Sequence, residues 1–283
     1  MKTGIVFEGG AFRTIFSCGV MDAMLENKIM PDYMIGVSAG AAYGVSMASG
    51  QIGRNLKILI DYRNDKRYVG LSNMVHRDNR SLYGLNFTFD TIPNELVPYD
   101  YDAYFQNPTR FEMVTTNCVT GRACYLEEKE DKERLLRIAR ASSSLPYVCP
   151  IVHVDGRPML DGGIVDSIPV ERAMQQGYER NVVVLTRNRG YRKSEKDIKV
   201  PHFIYTRYPR LRVVLSRRCQ VYNEQLEEIE RLEDEGRIIA IRPIKKVVVN
   251  RIEKDIKKLT DLYEEGYACA EKVLLPLLDE KVK

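Results

Sequence analysis

Histidine is scarce in this sequence, and its scarcity narrows the catalytic chemistry that is available. The 283 residues contain His76, His153 and His202 and no other histidine. His153 lies between two valines in a predicted hairpin, which favours a structural role, and His76 lies in a segment without a regular pattern. Only His202 remains as a candidate catalytic base, so a histidine-dependent site would rest on one residue.

Paired cysteine motifs are missing as well. The six cysteines, at positions 18, 118, 124, 149, 219 and 269, include no Cys-x-x-Cys pair and no spacing typical of a metal site. Several have apolar neighbours, and we interpret them as reduced, mostly buried thiols of a cytoplasmic protein. The sequence also lacks a metal-ligand cluster and a nucleotide-binding loop, so we expect neither a metal nor a cofactor.

Long apolar segments are also absent. The run from Met34 to Ala48 is too short and too rich in glycine and serine for a transmembrane span. The first eight residues contain no apolar core of a signal peptide. We therefore expect any membrane contact to be peripheral.

Charge gives only weak guidance to partners. The net charge is +4, which fits an anionic lipid surface but fits an ordinary solvated surface better. The densest basic stretch runs from Thr206 to Arg218, and it could form a positive face for anionic phospholipid with Arg187, Arg189, Arg192 and Lys193. Alternatively, its apolar positions pack on the core and leave the arginines in water. No nucleic-acid-binding module accompanies the charge, so we expect no nucleic-acid partner.

Two strand–turn–helix units open the chain and indicate the fold class. Strands are predicted at 4–7 and 33–36, and the apolar spacing between them predicts a helix over 15–28. This order favours an α/β fold with a doubly wound, mainly parallel sheet flanked by helices in three layers. Ligands bind at the carboxyl ends of such strands, where the glycine turns after both strands can meet.

The rest of the chain extends this pattern to a single predicted domain over 1–283. Residues 63–107 are predicted to form an irregular, aromatic-rich cap, whose rings either line a substrate cleft or pack the cap onto the core. Residues 208–283 are predicted to be mainly helical. The other predicted helices are 52–62, 129–142, 170–177, 208–235 and 252–278. The other predicted strands are 111–118, 123–126, a hairpin over 151–160, 181–186, 203–205 and 237–242.

The second glycine turn has the pattern Gly-x-Ser-x-Gly around Ser38, between a predicted strand and a small-residue helix. This is the context of the nucleophile elbow of serine hydrolases. A serine hydroxyl attacks an ester only when a base accepts its proton. One possible base is His202, with Asp161 or Asp166 as the acid. An α/β-hydrolase, however, normally has several strands before its nucleophile, and here only two precede Ser38.

The other possible base is Asp161, which ends the predicted hairpin in Asp-Gly-Gly. An aspartate serves as a base if a water-poor site raises its pKa or if proton transfer is concerted with attack. The first glycine turn offers the N–H groups of Gly9, Gly10 and Ala11 for an oxyanion hole. Arg13 suits a phosphate or carboxylate, or else forms a structural ion pair with Glu8 or a neighbour.

Three motifs together resemble the patatin-like phospholipase family. They are Gly-Gly-x-x-Arg after the first strand, Gly-x-Ser-x-Gly after the second and Asp-Gly-Gly after the hairpin. Further similar segments are Ala141 to Pro150, Ile168 to Val170, Asp65 to Tyr68 and Asp90 to Pro93, and the last two with the C-terminal helices resemble a bacterial branch. The resemblance covers nearly the whole chain.

The resemblance implies a Ser–Asp dyad without histidine, on a fold related to cytosolic phospholipase A2. Ser38 would be the nucleophile, Asp161 the base, and Gly9, Gly10 and Ala11 the oxyanion hole. Two positions depart from the family pattern, because Ala11 and Thr14 stand where glycine is usual. We expect Ala11 to serve as a donor only if its φ is negative.

The expected function is therefore hydrolysis of acyl esters in phospholipid or lysophospholipid, through an acyl-enzyme on Ser38. Two alternatives stay open: a lipid-binding or interaction protein with little turnover, and a carboxylesterase that acts on non-lipid esters. The sequence gives no prediction of the oligomeric state.

Overall fold

A computed structural model of the protein describes residues 2–75, 81–178, 180–194, 200–201 and 203–279, with backbone alone for 275–279. The described residues contain eight strands in one sheet. They are β1 (Thr3–Phe7), β2 (Tyr33–Val37), β3 (Arg110–Asn117), β4 (Arg122–Leu126), β5 (Val152–Val154), β6 (Arg157–Asp161), β7 (Arg180–Val184) and β8 (Ile239–Ile241).

The sheet is mainly parallel, as the sequence predicted. The strand order is β5-β6-β3-β2-β1-β7-β8, and β4 also pairs with β3. The pairs β3–β2, β2–β1, β1–β7 and β7–β8 are parallel, whereas β3–β4, β3–β6 and β5–β6 are antiparallel. Phe7 is in register with Gly36, so the two glycine turns leave the same edge of the sheet side by side.

Helices cover both faces of the sheet. The α-helices are α1 (Ile15–Glu26), α2 (Ala39–Ala48), α3 (Arg54–Tyr62), α4 (Tyr101–Gln106), α5 (Lys132–Ser142), α6 (Val170–Gln175), α7 (Pro209–Asp234) and α8 (Ile256–Asp279). Side chains such as Ile5 and Phe7 share one buried cluster with α1, α2, α3, α5 and α8. Val6 and Ile35 point the other way, into a cluster with α6 and α7. Successive side chains of β1 thus point to opposite faces of the sheet, and helices cover both faces in the three-layer arrangement that was predicted.

Helix α8 packs closely against α1. An added Cβ at Gly19 would lie 2.0 Å from the carbonyl oxygen of Tyr263, and one at Gly266 would lie 2.0 Å from that of Phe16. The two backbones can approach this closely because neither glycine has a side chain.

The cap is more regular than predicted. It contains a short 3₁₀ turn (Leu71–Met74), a π-helix (Phe87–Leu96) and α4. Another 3₁₀ turn (Ala11–Thr14) lies before α1. Asp100 caps α4 by accepting a 2.9 Å hydrogen bond from the N–H of Ala103, a signal that the sequence interpretation missed. The predicted strand over 203–205 is wrong, because these residues form turns and bends outside the sheet.

The six cysteines are all free, and Cys18, Cys118, Cys149 and Cys269 are buried. Within the described ranges, no helix is both long enough and apolar enough to span a bilayer.

Candidate active site

Ser38 lies at the turn between β2 and α2, and its backbone is unusual. Its φ is 55° and its ψ is −123°, a region that non-glycine residues rarely occupy. Gly40 makes the turn possible, because a Cβ there would lie 2.4 Å from the carbonyl oxygen of Phe7. Gly36 is equally confined, since its Cβ would lie 2.7 Å from the nitrogen of Ala41. The two glycines of the motif therefore let the strand, the turn and the helix pack in contact.

Ser142 connects this turn to the sheet through two hydrogen bonds. The N–H of Ser38 donates a 2.9 Å hydrogen bond to Ser142 Oγ, and the Ser142 hydroxyl donates a 2.7 Å bond to the carbonyl oxygen of Val114. Ser142 ends α5 and is fully buried. It thus links the elbow to β3 through one hydroxyl.

Asp161 ends β6 and is buried, with 1% of its surface exposed. Its Oδ1 accepts a 2.7 Å hydrogen bond from the N–H of Gly163. Its backbone is fixed on both sides, by a 2.9 Å bond to Ser144 and a 2.8 Å bond from the Thr116 hydroxyl. Its Oδ2 is buried and accepts no hydrogen bond from the part of the chain that the structure describes.

The environment of Asp161 acts on its pKa in opposite directions. Burial raises the pKa, whereas the charge of Arg218, the nearby Ser38 hydroxyl, the Gly163 N–H and the charge of Lys193 lower it. Burial dominates, so the pKa is raised above its ordinary value of 3.8. The Ser38 hydroxyl is thus close enough to act on the carboxyl, although Oδ2 and Ser38 do not meet in a well-formed hydrogen bond. Catalytic hydrogen bonds are often long before substrate binds.

The glycine turn meets the elbow directly. A Cβ at Gly9 would lie 2.8 Å from Ser38 Cβ, so only glycine fits there. None of the hydrogen bonds between described residues uses the N–H of Gly9, Gly10 or Ala11. The φ of Ala11 is 51°, so Ala11 does not meet the condition of a negative φ under which we expected its N–H to serve as a donor. Ala11 thus adopts the left-handed backbone that a glycine would adopt freely, at a cost of about 1–2 kcal/mol.

Arg13 does not pair with Glu8. Glu8 is buried and accepts hydrogen bonds from Thr186, at 2.6 Å to its N–H, and from the Tyr222 hydroxyl at 2.6 Å. Arg13 is only 9% exposed, and its Nε has no hydrogen-bond partner within the described chain. Arg13 thus forms no ion pair with Glu8 or with any other acid that the structure describes, and its guanidinium faces a cavity.

The histidine-based alternative gains no support from the described residues. His153 is exposed on β5. His76 and His202 lie outside the described residues. Asp166, the other candidate acid, accepts a 2.8 Å bond from the Tyr125 hydroxyl and a 2.6 Å bond from Gln225.

Two cavities of different character meet at this site. One is polar, and its lining includes Gly9, Gly10, Arg13 and Asp161. The other is apolar and is lined mainly by α2 and by cap residues such as Tyr68, Tyr83, Leu85 and Phe89. Ala11 and Leu145 line both cavities, so the glycine turn lies at their junction.

Several residues of the site were not predicted. Ser142 and Arg251 are two of them, whereas Arg13 was predicted to suit a phosphate or carboxylate and Arg187, Lys193 and Arg218 were predicted only as parts of a basic face. The predicted basic face is divided: Arg189 pairs with Asp234 at 2.6 Å and Arg192 pairs with Glu230 at 2.8 Å, whereas Arg187, Lys193 and Arg218 line the cavity. The density of the basic stretch was a signal, but its direction toward the cavity was not visible in the sequence.

Comparison with known proteins agrees with this architecture. The family model described as patatin-like phospholipase matches residues 5–174, and a model described as a domain of unknown function (DUF6363) matches residues 208–279.

Individual proteins match parts of the chain. The Escherichia coli (strain K12) protein named "Uncharacterized protein YjjU" is 29% identical over 192 residues, covering 65% of this chain and 52% of that protein. "Lysophospholipase nte1" of Aspergillus niger is 27% identical over 179 residues, covering 60% of this chain and 11% of that protein. This chain therefore spans about half the length of the first relative and a small part of the second.

A solved structure shares the fold. VipD from Legionella pneumophila superimposes with a TM-score of 0.53 at 12% identity, over 96% of this chain and 66% of that chain.

Proposed function

Because the chain belongs to the patatin-like phospholipase family, we propose that it hydrolyses acyl esters of phospholipid or lysophospholipid through an acyl-enzyme on Ser38. One observation carries the proposal. The strained elbow serine lies against the glycine turn and beside a buried carboxyl whose Oδ2 is free to accept a proton. Strained backbone and unpaired buried polar atoms cluster at functional sites, because a purely structural role would not repay their cost.

In the first step, Ser38 Oγ attacks the ester carbonyl and its proton passes to Asp161 Oδ2. The pKa of Asp161 is raised by burial, which makes the carboxylate a better base than an exposed aspartate. Arg218 and Lys193 oppose this rise and favour the ionised form that must accept the proton.

The carbonyl oxygen becomes an oxyanion, and the N–H groups of Gly9, Gly10 and Ala11 are the proposed donors. Ala11 is kept among them despite its positive φ, because it has the left-handed backbone that a glycine adopts freely. These N–H groups donate to no described acceptor, so no hydrogen bond must break before they bind the oxyanion. The N-terminus of α2 adds a favourable dipole at the same point.

Collapse of the oxyanion expels the alcohol, which takes the proton from Asp161 and leaves an ester on Ser38. A water molecule then attacks this ester, with Asp161 again accepting the proton. The acid product leaves, and Ser38 regains its hydrogen.

Lipid specificity is proposed from the two cavities. The apolar cavity, with Phe12, Tyr43 and the cap rings of Tyr68, Tyr83 and Phe89, suits an acyl chain. The polar cavity begins at the same glycine turn and suits the other side of the ester. In this arrangement the segment 63–107 contributes to the substrate cleft, and the enzyme works in contact with a lipid surface.

A labelling experiment with a fluorophosphonate tests the proposed nucleophile. The wild type should be labelled, and Ser38→Ala should not. Ser216→Ala is the matched control, because Ser216 is an exposed serine on α7 that should leave labelling unchanged. Equal labelling of Ser38→Ala, or none of the folded wild type, would favour a lipid-binding protein with little turnover.

A substrate panel separates the remaining alternatives. Asp161→Asn should abolish hydrolysis of lysophospholipids, whereas His202→Ala should retain it. Loss of activity in His202→Ala with retention in Asp161→Asn would contradict the dyad. Hydrolysis of short p-nitrophenyl esters without any hydrolysis of phospholipids would indicate a non-lipid carboxylesterase.

A further inference from the structure

The polar cavity beside the glycine turn is lined by cations from well-separated parts of the chain. Its volume is about 290 Å³, whereas about 10–15 Å³ is enough to hold one water molecule. This is room for a phosphate group and part of a glycerol. Five cationic side chains line it, namely Arg13, Arg187, Lys193, Arg218 and Arg251.

These five cations form no ion pair with any acid in the described ranges. In the described part of the chain, none of them lies within 4.0 Å of a carboxylate oxygen of an acidic side chain. Their neighbours in sequence behave differently, because Arg189 and Arg192 pair with the acids of α7. Positive charge is therefore concentrated in the cavity, whereas the nearby arginines outside it are paired with acids.

The two acids that line the cavity do not offer a free site to a cation. Both oxygens of Glu8 accept hydrogen bonds from Thr186 and Tyr222. Asp161 is buried at the catalytic centre, where its charge faces Arg218. Among the described lining residues, an ammonium group of a lipid head would thus meet five cations, and the one carboxylate oxygen without a partner is Asp161 Oδ2, which is buried at the catalytic centre.

Aromatic rings do not offer such a site either. Quaternary ammonium groups bind to exposed aromatic faces. The cavity is lined by Tyr191 and Tyr222, but the guanidinium carbon of Arg187 lies 4.5 Å from the Tyr191 ring centre and Lys193 Nζ lies 3.3 Å from the Tyr222 ring centre. The cavity's own cations already occupy the places where choline would bind.

We propose that this cavity binds the phosphomonoester head group of a lipid, so that the enzyme prefers substrates of the phosphatidate or lysophosphatidate class over zwitterionic phospholipids. A phosphomonoester carries about −1.5 to −2 charges at neutral pH and three strong acceptor oxygens. Four of the five cations lie beyond residues 5–174, which match the family model, so the preference belongs to this chain's later segments. The substrate assignment rests on the proposed hydrolase function.

The electrostatics of the free cavity agree with this assignment. Burial, together with the charges of Arg218 and Arg251, lowers the pKa of Lys193 to about 7. Burial and the charge of Arg187 lower the pKa of Arg13 in the same way. Like charges held together in a half-buried cavity repel one another, and a bound dianion would relieve that repulsion.

Binding to a protein that cannot turn over tests the head-group assignment separately from catalysis. Ser38→Ala protein is titrated by calorimetry with lysophosphatidate and with lysophosphatidylcholine of the same acyl chain, both below their micellar concentrations. Lysophosphatidate should bind about tenfold more tightly or better, because hydrogen bonds from charged groups to phosphate are among the strong ones. In the Ser38→Ala protein, a second substitution, Arg251→Gln or Arg187→Gln, should remove most of this difference in affinity between the two lysolipids. Arg217→Gln, which removes an exposed charge from the same basic helix, should retain it.

Inorganic phosphate separates a lipid head-group site from a site for free phosphate. It should compete with lysophosphatidate but bind at least about a hundredfold more weakly, since it lacks the apolar contacts of the chain. Equal affinity for the two lysolipids would overturn the proposal, and so would phosphate binding as tight as that of lysophosphatidate. If preference for lysophosphatidate is found while the wild type hydrolyses no ester, the head-group site stands and the hydrolase function fails. If esters are hydrolysed without any such preference, the hydrolase function stands and the head-group site fails.

Discussion

The hydroxyl of Ser142 accepts a 2.9 Å hydrogen bond from the N–H of Ser38, the serine of the elbow. The same hydroxyl donates to the carbonyl oxygen of Val114 in the neighbouring strand. Ser142 therefore ties the strained turn to the sheet, and we infer that it positions Ser38 without touching substrate.

Ser142→Ala should lower kcat for a p-nitrophenyl ester by about tenfold to a hundredfold with a smaller change in KM, because a small displacement of the nucleophile costs rate. It should also destabilise the protein by about 1–3 kcal/mol, since it removes the hydrogen bonds that a buried hydroxyl makes to the Val114 carbonyl and the Ser38 N–H. Steady-state kinetics and urea unfolding measure the two effects.

Ser143→Ala is the control for stability. The Ser143 hydroxyl is buried and has no partner in the described chain, so its removal should cost little. Ser142→Thr retains the hydroxyl and should restore part of kcat. An unchanged kcat in Ser142→Ala would show that the elbow holds its shape without this bond.

Ala11 carries strain that glycine would not. Its φ of 51° costs an alanine about 1–2 kcal/mol, whereas glycine loses about 0.5–1 kcal/mol more backbone entropy on folding. Ala11→Gly should therefore raise the free energy of unfolding by roughly 0.5–1 kcal/mol and retain hydrolysis, because the N–H of residue 11 remains. Ala103→Gly, in the helix α4, is the matched change and should destabilise by about 1 kcal/mol. Destabilisation by Ala11→Gly would mean that the methyl group contributes more to packing than the strain costs.

The charge of Arg218 should set the acid limb of the pH–rate profile. Asp161 must be ionised to accept the serine proton, so kcat/KM should rise as pH rises through its pKa. Arg218 lowers that pKa, and Arg218→Gln should therefore raise it and move the acid limb to higher pH. Measurement with an uncharged p-nitrophenyl ester keeps the head-group cavity out of the comparison.

Two further variants complete this test. Arg218→Lys keeps a positive charge, so its acid limb should lie between those of Arg218→Gln and the wild type. Arg217→Gln removes an exposed charge from the same helix and should leave the limb in place. An acid limb that does not move in Arg218→Gln would indicate that a group other than Asp161 controls it.

The fold was predictable because its signals are local. Apolar spacing located β1, β2, α1 and α7 to within a few residues of their observed ends. The glycine turns were predictable for the same reason, and register then brought Gly9 against Ser38. The cap was harder, because its π-helix contains Pro93 and its α4 depends on one capping aspartate.

The supporting residues of the site were not predictable from local pattern. Ser142, Lys193, Arg218 and Arg251 come from separate elements, and only the tertiary fold brings them to one edge of the sheet. The left-handed backbone of Ala11 was missed because the sequence shows an ordinary alanine there. The roles of Ser38 and Asp161 stay predictions until they are tested.

The close contact of α1 and α8 tests whether 1–283 folds as one domain. Gly266→Ala would place a methyl group 2.0 Å from the Phe16 carbonyl oxygen, and such overpacking costs about 1–3 kcal/mol. If the chain is one cooperative unit, calorimetry should show a single unfolding transition that shifts as a whole. Ala268→Val, at an exposed position of α8, should cost less than about 1 kcal/mol. A shift in a separate, partial transition would instead divide the C-terminal helix from the rest.

Lys193 should make binding of a phosphomonoester lipid dependent on pH. Its pKa is about 7, because burial lowers it and Arg218 lowers it further. A bound dianion favours the protonated lysine, so affinity should fall as pH rises above about 7. The other groups whose charges act on Lys193 are Glu8, which raises its pKa, Cys219, which also raises it, and Arg251, which lowers it. Below about pH 6 the ligand itself loses its second charge, so the affinity of the wild type should peak between the two limits.

Lys193→Arg keeps its charge across this range and should abolish the fall above neutral pH, while Lys193→Met should bind weakly throughout. Calorimetry with lysophosphatidate and Ser38→Ala protein, from about pH 5 to pH 9, measures the three profiles. The fall cannot come from the phosphate, which is fully ionised there, nor from the arginines, which stay protonated. If Lys193→Arg declines above neutral pH as steeply as the wild type, Lys193 is not the titrating group.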